Sequence, residues 1–118
     1  MCLERGLKTV EVIEGGIDMG YPERNRNIYE EICKEGLVVA EFTEGTPTRK
    51  EMFPIRNRIL AGISDTTIVI EGGLESGSLL TANLALEYGR DVFVVPGDIT
   101  RESSKGCNSL IKQGADII

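Results

Sequence analysis

The chain has no histidine and no tryptophan, and among its 118 residues there are only three cysteines, four prolines and 5% aromatics. Without histidine it cannot supply a Ser-His-Asp triad, a Cys-His pair or a histidine metal cluster, which removes many hydrolases. Cys2, Cys33 and Cys107 are odd in number, far apart and lack a Cys-x-x-Cys spacing. Neither a disulfide framework nor a zinc site is indicated, and the thiols read as reduced. No run approaches the roughly 18 apolar residues needed to cross a bilayer. Met1-Cys2-Leu3-Glu4-Arg5 lacks the basic segment and apolar core of a signal peptide. These absences lead to the expectation of a cytoplasmic chain without a membrane partner.

Hydrophobic residues at 41% and charged residues at 27% match an ordinary globular chain. The length suits one domain over residues 1–118. A net charge of -6 argues against a surface that binds nucleic acid everywhere, while leaving room for a local basic patch.

Short apolar β-branched runs alternate with helical patterns, the signature of parallel βαβ units. The expected strands are Thr9 to Ile13, Leu37 to Glu41, Thr67 to Ile70 and Val92 to Val95, the last apolar enough to be buried on both faces. Helices are expected over about Glu23 to Glu35, Pro54 to Ile63, Ser78 to Tyr88 and Asn108 to Gln113. Ile28 and Ile32 share a face of the first helix and Gly36 is placed to cap it. The fold class is therefore α/β, with a mostly parallel sheet of about four to five strands.

Three polar turns follow strand carboxyl ends, the edge where ligands lie in an open α/β sheet. In Gly72-Gly73-Leu74-Glu75-Ser76-Gly77-Ser78, backbone amides at a helix start can approach an anion, with Ser78 expected as the N-cap. The turn is neither a Walker loop nor Gly-x-Gly-x-x-Gly. A plain tight turn that caps a helix accounts for the same residues. Arg49, Lys50, Arg56 and Arg58 place four of thirteen basic residues in one ten-residue window. Arg56 and Arg58 point about 200° apart on a helix and do not suit one phosphate together. One can bind an anion while the other pairs internally, and a solvated basic face balanced by Glu44 and Glu51 is the competing account. Lys105-Gly106-Cys107-Asn108 opens the last helix, where Asn108 could equally be a cap and Lys105 a solvated lysine. Glu41, Glu71 and Glu75 have no spacing that fixes two of them together, so no catalytic or metal-binding residue is expected, and no cofactor. Tyr21, Phe42 and Phe53 could stack bases or fill the core.

Read together, these motifs resemble the DNA-processing protein A family, also called DprA or Smf, over roughly residues 6–115. The residues that carry the resemblance are Gly16-Ile17-Asp18 with Tyr21-Pro22 and Asn25, Glu41, Gly45-Thr46-Pro47, Phe53-Pro54-Ile55-Arg56-Asn57-Arg58-Ile59, Ser76-Gly77-Ser78 with Thr81, Gly89-Arg90-Asp91-Val92-Phe93, Pro96-Gly97, Gly106 with Asn108, Leu110-Ile111 and Gly114-Ala115. The resemblance implies a Rossmann-like, three-layer, doubly wound domain that binds single-stranded DNA, forms a homodimer and assists loading of the RecA recombinase in natural transformation, with no established catalytic reaction. Carried over by motif, Arg56, Arg58, Ser76, Gly77, Ser78, Lys105 and Asn108 would line the DNA pocket. Arginine, lysine and helix-start amides are suitable phosphate ligands.

The sequence departs from the family in two ways. Family domains begin with further strands and a Gly-x-Arg segment, so the chain reads as N-terminally truncated. Glu11 and Glu14 stand where small or apolar residues are usual, which leads to the expectation that the first strand is a sheet edge. Two other readings compete. One is a nucleotide-binding Rossmann enzyme related to the lysine-decarboxylase-like phosphoribohydrolases, disfavoured because their Pro-Gly-Gly-x-Gly-Thr motif is not matched here. The other is a vestigial structural fragment that needs a partner chain to complete its sheet.

Overall fold

The structure, a computed structural model, describes residues 2–19 and 23–118. The chain divides into two compact units, Met1–Arg56 and Asn57–Ile118. Tyr21, quoted above as a base-stacking candidate, lies outside the described residues.

In the first unit, β1 (Val10–Gly16) runs parallel to β2 (Leu37–Phe42), in register from Val10 opposite Leu37 to Ile13 opposite Ala40. The register shifts beyond Ile13, so that Gly16 stands opposite Phe42. Pairing of Gly16 with the end of β2 draws Glu14, Gly15 and Gly16 into a strand that the residue pattern ends at Ile13. Val12 and Ile13 supply its buried side chains. Among the described residues β1 pairs with β2 alone, in keeping with the edge expected from Glu11 and Glu14.

Between these strands a 3-10 turn (Glu23–Asn25) leads into α1 (Arg26–Glu35), so the α-helix itself starts three residues later than expected. Ile32 is buried, but Ile28, on the same face, is 52% exposed. The Gly36 N–H closes the helix on Ile32 O at 2.8 Å. Tyr29 donates its hydroxyl to Ile17 O at 2.9 Å and so ties α1 to the segment after β1. Burial, and then the neighbouring Cys33, raises the Tyr29 phenol above its ordinary pKa.

α2 (Met52–Ile63) begins in the first unit and ends in the second. Pro54 is its third residue, within the first turn where a missing N–H costs nothing. The second unit continues with β3 (Thr66–Val69), α3 (Gly77–Glu87), β4 (Asp91–Val94), a 3-10 turn (Glu102–Ser104), α4 (Lys105–Lys112) and β5 (Asp116–Ile117). The strands form a parallel sheet in the order β3-β4-β5.

Period-two alternation places Val69, Val92 and Val94 on one face, where they are buried under α3 and α4. Ala61, Leu79, Ala82, Ala85, Cys107, Leu110 and Ala115 complete this core. Small alanines let α3 approach the sheet closely, and Leu110 on α4 is fully buried. On the opposite face Ile68 is 52% exposed and Phe93 partly buried, so that face is less fully covered than the apolar run of β4 suggested. α3 ends in a Schellman motif: Gly89 N–H bonds Leu86 O, Arg90 N–H bonds Ala85 O, and Gly89 takes the left-handed φ of 68°.

Among the described residues the five strands are parallel to their partners, as the βαβ alternation predicts, and the pairing sorts them into a two-stranded and a three-stranded sheet. Among the described residues no helix is long and apolar enough to cross a membrane.

Candidate functional site

The second unit brings two of the predicted turns together. The chain leaves β3 through Gly72 and Gly73 and enters α3 at Ser76, whose extended backbone (φ -74°, ψ 145°) makes it the N-cap. This corrects the expectation for Ser78, which lies inside the first helical turn because Gly77 is already helical. The two serine hydroxyls bond each other at 2.8 Å rather than capping the helix through a side chain. The N–H groups of Gly77 and Ser78 consequently have no acceptor among the described residues. Exposed amides at the start of an 11-residue helix form a partial positive pole suited to an anion.

The loop from β4 and the start of α4 are stitched onto that turn. Gly72 N–H donates to Ser103 O at 2.9 Å, and Gly106 N–H donates to Gly72 O at 2.9 Å. A side chain at position 106 would run into Gly72 O and would sit 2.7 Å from Gly73 O, so only glycine permits this approach. Ser103 donates its hydroxyl to Glu71 Oε1, which gives that carboxylate a structural partner. Lys105 Nζ pairs with Glu102, with 41% of the lysine side chain exposed.

Asn108 belongs to α4 and is not a cap. Its Oδ1 accepts from Gly97 N–H at 3.2 Å and its Nδ2 donates to Gly97 O at 3.0 Å. Both faces of the amide are thus used to hold the Pro96-Gly97 turn. In that loop Asp98 Oδ1 accepts from the Thr100 hydroxyl at 2.7 Å and the Thr100 N–H at 2.8 Å. The hydroxyl first, and then the amide, hold the Asp98 carboxyl below its ordinary pKa.

The basic window behaves differently. Arg56 Nη2 pairs with Glu14 at 2.7 Å and its Nη1 donates to Val12 O, tying α2 to the carboxyl half of β1. Phe53 lies 5.9 Å from the same guanidinium. Arg58, two residues along, is exposed on α2. Arg49 and Lys50 are exposed on the preceding loop, with no ion pair among the described residues. That loop is fixed to the end of β1 by Gly16 N–H to Thr46 O at 2.9 Å and Gly45 N–H to Asp18 Oδ1 at 2.7 Å. Gly16-Ile17-Asp18 and Gly45-Thr46-Pro47 stand in the sequence as separate motifs, and nothing in their spacing signals that Asp18 braces one to the other. Glu14 stands out in the sequence only by its charge, not as the partner of Arg56. Among the described residues no three side chains of the metal-binding types cluster.

The geometry therefore joins the Gly72–Ser78 turn to the Ser103–Gly106 turn, turns Asn108 toward Gly97, and commits Arg56 to β1. Comparison with known proteins gives this arrangement its context. The family model for DNA recombination-mediator protein A matches residues 1–118. DNA processing protein DprA of Streptococcus pneumoniae is 43% identical over 117 residues, 99% of this chain and 42% of that protein. Protein Smf of Synechocystis is 40% identical over 117 residues, 99% of this chain and 29% of that protein. The chain thus spans less than half the length of these curated relatives. The crystal structure of the Streptococcus pneumoniae protein superposes with a TM-score of 0.87 at 41% identity, covering 99% of this chain and 41% of that one. DNA processing protein A of Helicobacter pylori, whose structure was solved to describe its single-stranded DNA binding mode, gives a TM-score of 0.83 at 32% identity, covering 93% of this chain and 51% of that one. With a family model matched along its full length and solved Rossmann-like relatives at this identity, the chain belongs to the DNA recombination-mediator protein A family, the group that includes DprA and Smf.

Proposed function

We propose that this chain is a single-stranded DNA-binding module of the DNA-processing type, not an enzyme. It works in the cytoplasm as a homodimer and assists RecA loading onto incoming strands in transformation and recombination. One observation carries the reading. The two turns at the carboxyl edge of β3 and β4 are stitched together at Gly72, and they leave the Gly77 and Ser78 amides unpaired on the unit that also carries Lys105. Helix-start amides and a lysine hold a phosphate without reading a base, which suits a strand of any sequence. The Helicobacter pylori relative, described for its single-stranded DNA binding, supports the choice of ligand.

Arg58, Ser76, Gly77, Ser78 and Lys105 of the second unit are the proposed strand contacts, while Arg56, held by Glu14 and Val12 O, braces β1 instead. Lys105 exchanges Glu102 for phosphate on binding. Asn108 supports the site through Gly97 instead of touching the strand.

Fluorescence anisotropy of labelled oligo-dT across a salt series, with the matching duplex as control, tests the proposal. Salt-sensitive binding that prefers the single strand is expected. Lys105→Ala should weaken binding on all sequences and flatten the salt dependence. A folded protein with no affinity for oligo-dT would reject the reading. The finer roles need their own measurements: sedimentation equilibrium for the dimer, and the lag of RecA ATPase on oligo-dT, which should shorten when the protein is added.

A further inference from the structure

The β4–α4 loop carries a second basic residue that sequence motifs did not pick out. Arg101 is exposed and has no ion pair among the described residues. The carboxylates around it are each engaged: Asp98 with Thr100, Glu102 with Lys105, and Glu71 with Ser103. Arg101 is therefore a cation of this loop that no carboxylate pairs with among the described residues.

Its backbone is fixed from both sides. Upstream, the Asn108 amide clasps both polar groups of Gly97, and Arg101 N–H bonds Asp98 O at 3.1 Å. Downstream, Ser104 N–H bonds Arg101 O at 3.1 Å, and Gly72 N–H bonds Ser103 O at 2.9 Å. A side chain at position 97 would collide with Ser104 Oγ and approach Ser104 Cβ to 2.6 Å. Ser104 is itself only 5% exposed, so it cannot easily swing aside. Such a loop keeps its shape before a ligand arrives, which removes an ordering cost from binding.

We infer that Arg101 is a phosphate contact for the bound strand, held beside the Gly72–Ser78 turn by Asn108 acting as a positioning residue through Gly97. This rests on the proposed single-strand binding and adds to it a residue and a means of preorganisation. The guanidinium would take a phosphodiester oxygen next to the one held by the Gly77 and Ser78 amides.

The test uses oligo-dT anisotropy across salt, with thermal melting to confirm folding. Arg101→Gln should weaken binding and reduce the log–log salt slope by about 0.7, the value of one single-strand phosphate contact. Arg101→Lys should keep the slope. Asn108→Ala should weaken the wild type but add little in the Arg101→Gln background, since both changes remove one contact. Gly97→Ala should weaken binding, and adding Ser104→Gly, which removes the colliding atoms, should restore it. Wild-type binding with an unchanged slope in Arg101→Gln would overturn the inference alone, as would strictly additive effects of Asn108→Ala and Arg101→Gln. Failure of the folded wild type to bind oligo-dT would instead overturn the proposed function, and this inference with it.

Discussion

The Arg56 guanidinium and the Glu14 carboxylate meet at 2.7 Å with their side chains only 20% and 19% exposed, and the same arginine donates to Val12 O. A cation counted in a basic window is thus a brace between β1 and α2. Glu14, out of place by family pattern, is the partner that makes it so. Charge-assisted hydrogen bonds to half-buried groups contribute more than neutral ones, and removing one partner leaves the other poorly solvated. Arg56→Ala should therefore lower the unfolding free energy by about 2 kcal/mol in urea titrations. Arg56→Lys should recover little of it, because an ammonium lacks the planar fork that reaches Glu14 and Val12 O together. A variant as stable as the wild type would show that the pair is only a surface contact.

Gly106 concerns the joint between the two turns. A methyl group there meets Gly72 O and lies 2.7 Å from Gly73 O, both backbone atoms that cannot rotate away. Gly106→Ala must push α4 off the β3–α3 turn and break the Gly106 N–H to Gly72 O bond. A loss of roughly 2–4 kcal/mol is expected, as for other overpacked buried positions. Oligo-dT affinity should fall with it, since the Gly77 and Ser78 amides and Lys105 then lose their relative placement. Chemical denaturation and anisotropy on the same sample check both outcomes.

Much of this architecture could be read from residue patterns. β-branched runs located β1 to β4, and glycine marked the end of α3 at Gly89. Turns after neighbouring parallel strands share one edge, which is how the Ser76-Gly77-Ser78 and Lys105 turns come to be stitched together at Gly72. The misses have physical causes. Ser76 and Ser78 are both good caps, and local composition cannot say which of them holds the last extended backbone before the helix. Asn108 reads as a cap beside its own helix; its partner Gly97 becomes visible only once the β4–α4 loop has folded back. The Glu14–Arg56 pair joins residues far apart in sequence, and charge counting cannot see it. β5 has two residues, Asp116 and Ile117, too few to show a period.

Glu11 lies in the middle of β1, and its Oε2 is buried with no hydrogen-bond partner. A carboxylate oxygen without a donor is a desolvation cost that an apolar β-branched side chain does not bear. Glu11→Val should raise the unfolding free energy by about 1 kcal/mol. It should also remove a charge that guards an edge strand, so association at high concentration should increase. Urea titration and light scattering separate the two effects, and a less stable variant would show that water or a distant cation satisfies the carboxylate.

Asp98 makes the β4–α4 loop sensitive to acid in a defined direction. The Thr100 hydroxyl and, to a smaller extent, the Thr100 amide favour its charged form and place its folded pKa below the ordinary aspartate value of about 3.9. A carboxyl with a depressed folded pKa contributes its stabilisation in full above the unfolded value, and loses it as pH falls through the folded one. The turn should therefore be intact at neutral pH and loosen only in strongly acidic solution. A carboxyl-carbon NMR titration should give Asp98 a midpoint below the ordinary value. Thr100→Val removes the hydroxyl donor and should move that midpoint upward while the amide keeps part of the shift. A wild-type midpoint at the ordinary value would mean that the Asp98–Thr100 bonds do not persist in solution. The loop carrying Arg101 would then be held by its backbone bonds and by Asn108 and Gly72.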